Sequence, residues 1–177
     1  METHQIDSPA KLPRATCHVE LSDTQAHLAV DREALVGLAK RVLAREGKVA
    51  GTVSVALVDD ATIRELNQRH LGHDWPTDVL SFPLTEPGAE EFSGALVLSA
   101  EMAAQTAQDA GLDPWPELAL YLVHGLLHLC GHDDQTPEPR ARMRQLEQMH
   151  LSEERLTNTF ALVADEDAQG ERLRWTV

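Results

Sequence analysis

Cysteine is scarce in this chain: Cys17 and Cys130 are the only two in 177 residues. Two thiols do not indicate a disulfide framework, so stability has to come from a packed core. Long apolar runs are missing as well. No stretch approaches the roughly 18–20 apolar residues that a membrane-spanning helix needs. The opening segment, Met1 to Arg14, is polar and lacks the apolar centre of a secretory signal. Positive charge is in deficit: 15 Lys and Arg stand against 29 Asp and Glu, a net charge of −14. Such a chain repels phosphate at long range, which argues against a general nucleic-acid binder but leaves room for RNA in a cleft with a local basic patch. Internal repeats and low-complexity segments are also absent. These absences favour one domain with a substantial core, no membrane association, and a reduced, cytoplasmic setting.

What is present is concentrated in one stretch, His124-Gly125-Leu126-Leu127-His128-Leu129-Cys130-Gly131-His132-Asp133-Asp134. Histidines four apart lie one turn apart on one helical face. Gly131 stands where a helix commonly ends in a left-handed residue. A later residue can then fold back to complete a three-ligand metal site with an open position, the arrangement catalytic zinc needs. His132 continues the spacing, but i, i+4 and i+8 on a straight helix span roughly 12 Å, too far for bonds of about 2.1 Å to one ion. Counting from His128 through Gly131 lands on Asp134, the third-histidine position of the metzincin pattern H-E-x-x-H-x-x-G-x-x-H. Gly125 occupies the place of that pattern's glutamate, so the peptidase base is absent. Cys130, two residues after His128, points away from the histidine face and reads as a core residue.

Along the chain, residues 1–14 read as a loose arm, 15–156 as the catalytic domain and 157–177 as a tail without periodicity. Thr16 to Leu21 is expected as a first strand. Asp31 caps a helix with Leu35, Leu38, Ala39, Val42 and Leu43 at helical spacing, stopped by Gly47. Thr52 to Val58 alternates as a strand, and Asp59-Asp60 opens a second helix through Ile63, Leu66 and Asn67. Val79 to Phe82 is a strand bounded by Pro76 and Pro83 on its outside; His70 and His73 read as loop or surface residues. Glu86 to Ser93 reads as a loop and Gly94 to Leu98 as a strand. Ser99 caps a small-residue helix ended by Gly111. Asp113-Pro114 then starts a helix to Cys130 that is apolar nearly all round, hence buried. Two imidazoles buried there need partners, which a metal provides. Thr136-Pro137 starts a last helix with Met143, Leu146 and Met149 inward; Arg140 and Arg144 on it read as a solvated face rather than a phosphate contact.

Two of these stretches together, HGLLHLCGHDD and the run from Leu66-Asn67 through Pro76-Thr77-Asp78-Val79-Leu80-Ser81-Phe82-Pro83, resemble the YbeY family of bacterial metal-dependent endoribonucleases. The resemblance covers about residues 50 to 150, with Gly94 to Ser99 as the strand between the motifs. It implies an α+β, zincin-like fold: a small mixed sheet of about four strands, packed with helices around a buried metal-ligand helix. It implies cleavage of single-stranded RNA, maturation of ribosomal RNA at the small-subunit 3′ end, a part in ribosome quality control, and ribosomal or assembly proteins as partners. It also implies one Zn2+ per chain at His124, His128 and Asp134, with Asp78 and Ser81 lining the groove. The chain departs from the family in four places. Asp134 stands for a third histidine, His132 for a tyrosine, His70-Leu71 for Tyr-Arg, and Ala95 for an aspartate. Arg69 is the candidate to stand in for the missing arginine. A carboxylate ligand hardens the set and makes manganese or iron more competitive with zinc. The expected reaction is RNA hydrolysis by a metal-activated water, with Asp133 or His132 available to pass a proton and the general base unassigned. The rival readings are a non-catalytic ribosome-assembly factor with a structural metal, a zincin-type peptidase, and, ranked lowest, a non-haem iron oxygenase.

Overall fold

Alternation of apolar residues along Gly51–Val58 and Phe92–Ser99 builds the two central strands of the sheet. The computed structural model describes residues 17–156, so the expected N-terminal arm and C-terminal tail lie outside the described residues. Within them the order is β1 (His18–Asp23), α1 (Arg32–Arg45), β2 (Gly51–Val58), α2 (Asp60–Leu71), β3 (Val79–Pro83), β4 (Phe92–Ser99), α3 (Ala100–Ala110), α4 (Pro114–Leu129) and α5 (Pro137–Glu153). The result is an α+β domain with a mixed four-stranded sheet ordered β1-β2-β4-β3. β1 and β4 flank β2 in parallel, while β3 runs antiparallel along β4 at the edge.

The period-2 pattern sends alternate side chains to two different helical layers. Val53, Val55, Leu57, Leu96, Leu98 and Val79 face the main core with α1, α3, α4 and α5. Val58, Leu80, Phe82 and Val97 face the other way and meet Ile63 and Leu66 of α2. The sheet thus separates α4 from α2. Helix starts follow local chemistry: Asp31, Asp59, Ser99 and Asp113 each accept a backbone N–H of the first turn. α4 is buried on every side, with Leu118, Leu122, Leu126 and Leu127 fully enclosed. Each such leucine contributes about 2 kcal/mol of transfer free energy.

Close approach sets α4 against the sheet. A Cβ on Gly125 would lie 2.8 Å from Val79 Cγ2 and 2.9 Å from Leu96 Cδ2, and one on Gly94 would lie 2.7 Å from Leu129 Cδ1. A Cβ at either position would force these side chains to shift for the helix to sit this near.

Several expectations need correction. β1 is shifted towards Asp23 relative to Thr16–Leu21, because its parallel register with β2 extends that far. Phe92 and Ser93 belong to β4 and not to a loop, since they pair with Gly51 and Thr52. Pro83 closes β3 instead of lying outside it, tolerated at an edge strand opposite Gly94. His70, exposed in the last turn of α2, is the surface residue expected. The inward face of α5 is Met143, Glu147, His150 and Leu151, whereas Met149 is 39 % exposed.

Candidate metal centre

α4 holds His124 and His128 with their ring centroids 4.4 Å apart and their planes at 80°. Their Nε2 atoms converge to 2.8 Å. The chain then turns at Gly131, whose φ is +99°. Gly131 N donates to His128 O and His132 N to Leu127 O, the paired bonds of a Schellman ending. That turn brings Asp134 back, with Oδ2 3.9 Å from His124 Nε2 and Oδ1 3.8 Å from His128 Nε2. Asp133 secures the turn: its Oδ1 accepts from Asp134 N and Gln135 N. Arg140 Nε donates to Asp134 O at 3.1 Å, so this arginine braces the turn and is not merely solvated. Among the described residues, His124, His128 and Asp134 form the group of donors within 4.8 Å of one another.

The far sides of both rings are also engaged. His124 Nδ1 lies 2.6 Å from Glu147 Oε1, with Glu147 buried on α5. His128 Nδ1 lies 3.0 Å from His132 O. A carbonyl can only accept, and so can an ionised carboxylate, so each Nδ1 is the N–H of its ring. Each Nε2 is then left with a lone pair, and the two lone pairs point at the same place. Burial first, and then repulsion whenever His124 is protonated, hold the His128 imidazole below its ordinary pKa, which disfavours relieving the clash with a proton. A divalent cation relieves it instead. Tetrahedral bonds of 2.0–2.1 Å separate two ligand atoms by roughly 3.3 Å. That value falls between the 2.8 Å and the 3.8–3.9 Å separations found here. The donor set therefore fits a metal ion after movements of about half an ångström, and outer partners that fix each imidazole tautomer are what such sites require.

The other expected site residues separate into two groups. Asp78 ends the loop before β3; its carboxylate accepts from Thr77 Oγ1 and Val79 N, and its carbonyl accepts from Ser99 N. Burial pushes its carboxyl above the usual range. Ser81 Oγ donates to Gly125 O at 3.3 Å, on the α4 side of β3. Arg69 is exposed on α2, across the sheet from α4. His132 and Asp133, considered for proton transfer, are both committed to holding the turn. His132 Nε2 bonds Glu46 Oε2 at 2.7 Å, and Asp133 caps its own successors.

Sequence reasoning missed Glu147 and Glu46. Glu147 lies four residues after Met143, and that helical spacing was its one local signal. Glu46 gave none. The peptidase glutamate is excluded by packing as well as by identity, because the Gly125 position is closed by Val79, Leu96 and Ser81.

Fold and cluster together define a small α+β protein organised around a candidate metal centre on a buried helix. A family model described as Endoribonuclease YbeY matches residues 20–155, and the chain belongs to that family. It is 49 % identical over 123 residues to the Endoribonuclease YbeY of Rhodopirellula baltica, covering 68 % of this chain and 62 % of that one. It is 41 % identical over 136 residues to that of Carboxydothermus hydrogenoformans, covering 75 % of this chain and 94 % of the relative. The chain thus spans less than two thirds of the first relative but nearly all of the second. The solution structure of TM1509 from Thermotoga maritima is similar at a TM-score of 0.52 and 26 % identity, covering 80 % of this chain and 93 % of that one. No helix among the described residues is long and apolar enough to cross a membrane.

Proposed function

We propose that this chain is a metal-dependent endoribonuclease that cuts single-stranded RNA. The observation carrying the reading is the pair of imidazoles whose Nδ1 atoms are both spent on oxygen acceptors while both Nε2 atoms face Asp134. His124, His128 and Asp134 would hold the ion, in a zincin-like arrangement of helix and following turn. When bound, the ion supplies Lewis-acid polarisation of a phosphoryl oxygen. Zinc is the proposed ion, with manganese or iron competing because a carboxylate replaces one imidazole. Glu147 and the His132 carbonyl fix the rings. Asp78, whose carboxyl burial holds above the usual carboxylate range, would be the group that moves a proton. Ser81 lines the same side, and Arg69 would meet phosphate only where the strand passes beyond the centre. The proposed cellular substrate is ribosomal RNA at the small-subunit 3′ end, in ribosome maturation and quality control. It would be met in the cytoplasm with small-subunit or assembly proteins. That part of the reading is supported by family membership.

The test is incubation of the purified, zinc-loaded protein with an end-labelled single-stranded RNA, beside the His124→Ala variant and with casein as a second substrate. The expected result is RNA cut by the parent, background with the variant, and intact casein. Equal cutting by both proteins would assign the activity to a contaminant and defeat the reading. Uncut RNA with firm co-sedimentation on small ribosomal subunits would replace it with a non-catalytic assembly role.

A further inference from the structure

We infer that Glu46 is a positioning residue of the metal centre, acting through His132 from the end of a different helix. The inference rests on the reading that His124, His128 and Asp134 hold an ion. α1 ends as α4 does: Gly47, at φ +76°, donates to Ala44 O, and Lys48 N donates to Leu43 O. Both helix ends are therefore fixed in backbone, and they meet side by side. Glu46, the last residue before Gly47, bridges them. Its Oε2 lies 2.7 Å from His132 Nε2 and its Oε1 3.2 Å from His150 Nε2.

A carboxylate at a helix C-terminus is in the wrong place for that helix, where the macrodipole favours cations. It is also largely enclosed, with a side chain 13 % exposed. Burial works to raise its pKa, but the bonds from His132 and His150 outweigh burial and hold it below the ordinary carboxylate range. The charge is thus matched by two imidazole N–H groups from outside α1 rather than by α1 itself.

Both of those imidazoles lead to the centre. His132 supplies the carbonyl that receives His128 Nδ1, and two residues later the same turn delivers Asp134. His150 lies three residues beyond Glu147, which receives His124 Nδ1. One carboxylate on α1 therefore anchors the turn that orients His128 and the helix that orients His124. It is not one of the three clustered donors. Its effect is to hold the supports of both rings at one spacing, and partners that orient ligands typically alter metal affinity 10- to 100-fold.

The experiment measures zinc affinity of the full chain by chelator competition, and the visible absorption of the cobalt-loaded protein, alongside thermal melting of the metal-free form. Glu46→Gln keeps the shape and removes the charge; about tenfold weaker zinc binding and an altered cobalt spectrum are expected. His132→Phe should weaken zinc similarly. His132→Tyr, which restores a donor of similar size, should recover most of the loss. Combining Glu46→Gln with His132→Phe should cost much less than the product of the two single losses. Parent-like zinc affinity in both Glu46→Gln and His132→Phe, even with lower melting temperatures, would reduce Glu46 to a structural tie and overturn the inference. So would His132→Tyr binding no better than His132→Phe. A parent protein that takes up no zinc would instead overturn the metal reading on which the inference stands.

Discussion

Glu147 occupies an inward position of α5 that helical periodicity would assign to an apolar side chain, and its carboxylate meets His124 Nδ1 at 2.6 Å. The three clustered donors were legible in the sequence because their spacing, i and i+4 before a glycine stop, is local. Glu147 and Glu46 were not, because their partners lie 23 and 86 residues away and only tertiary packing joins them. Polarity also misdirected the reading of α5, where Met149 was expected inward and Glu147 and His150 are found there. Replacing Glu147 by Gln should therefore weaken zinc binding 10- to 100-fold with the fold retained, as measured by chelator competition and far-ultraviolet circular dichroism. An unchanged affinity would remove Glu147 from the support of His124. The cysteines make a second prediction at this scale. Burial first, then the charge of Glu46, push the Cys130 thiol up to about 12, and burial raises that of Cys17. At pH 8 a thiol of that pKa is ionised in only about one molecule in ten thousand, and thiolate is the reactive form. Native protein should react with a chromogenic disulfide far more slowly than the denatured chain; comparable rates would show that Cys130 is open and ionisable.

At the scale of elements, α4 lies close against the sheet because two glycines leave room there. Its ends were legible: Asp113 as cap, Pro114 in the first turn and Gly131 just past the end are chemical signals independent of tertiary contacts. The burial of α4 also followed from its all-round apolarity. The antiparallel edge position of β3 did not, since nothing in Val79–Pro83 states which neighbour it pairs with. Gly125 tests how tightly the element is held. Alanine there gains up to about 1 kcal/mol of helix propensity. Against that, its Cβ meets carbon atoms at 2.8 and 2.9 Å, and overpacking of this kind costs about 1–3 kcal/mol. Overpacking wins where the contacts cannot yield, so Gly125→Ala should melt several degrees below the parent in calorimetry. A melting temperature equal to or above the parent's would mean that β3 and β4 give way easily and that Gly125 is not required by packing.

For the molecule as a whole, the centre is where separate elements of one core are tied. α4 provides two donors, the following turn the third, α5 the support of His124, and α1 reaches the turn through Glu46 and His132. An ion bound there needs His124, His128 and Asp134 in the geometry that the folded helix and turn give them, so it stabilises the folded state through mass action. With free zinc at one hundred times its dissociation constant, the gain is about 2.7 kcal/mol, and each tenfold rise adds roughly 1.4 kcal/mol more. Because the ion's supports span α1 to α5, the melting transition should move as one and not split into a local and a global step. Titrating zinc into chelator-stripped protein should raise the melting temperature progressively, with near-ultraviolet and far-ultraviolet signals shifting together. In Asp134→Ala the same titration should need at least tenfold more zinc for the same rise, since one of three donors is gone. If Asp134→Ala responds as the parent does, the carboxylate is not a ligand. The turn beyond Gly131 would then serve only to orient His128 through the His132 carbonyl.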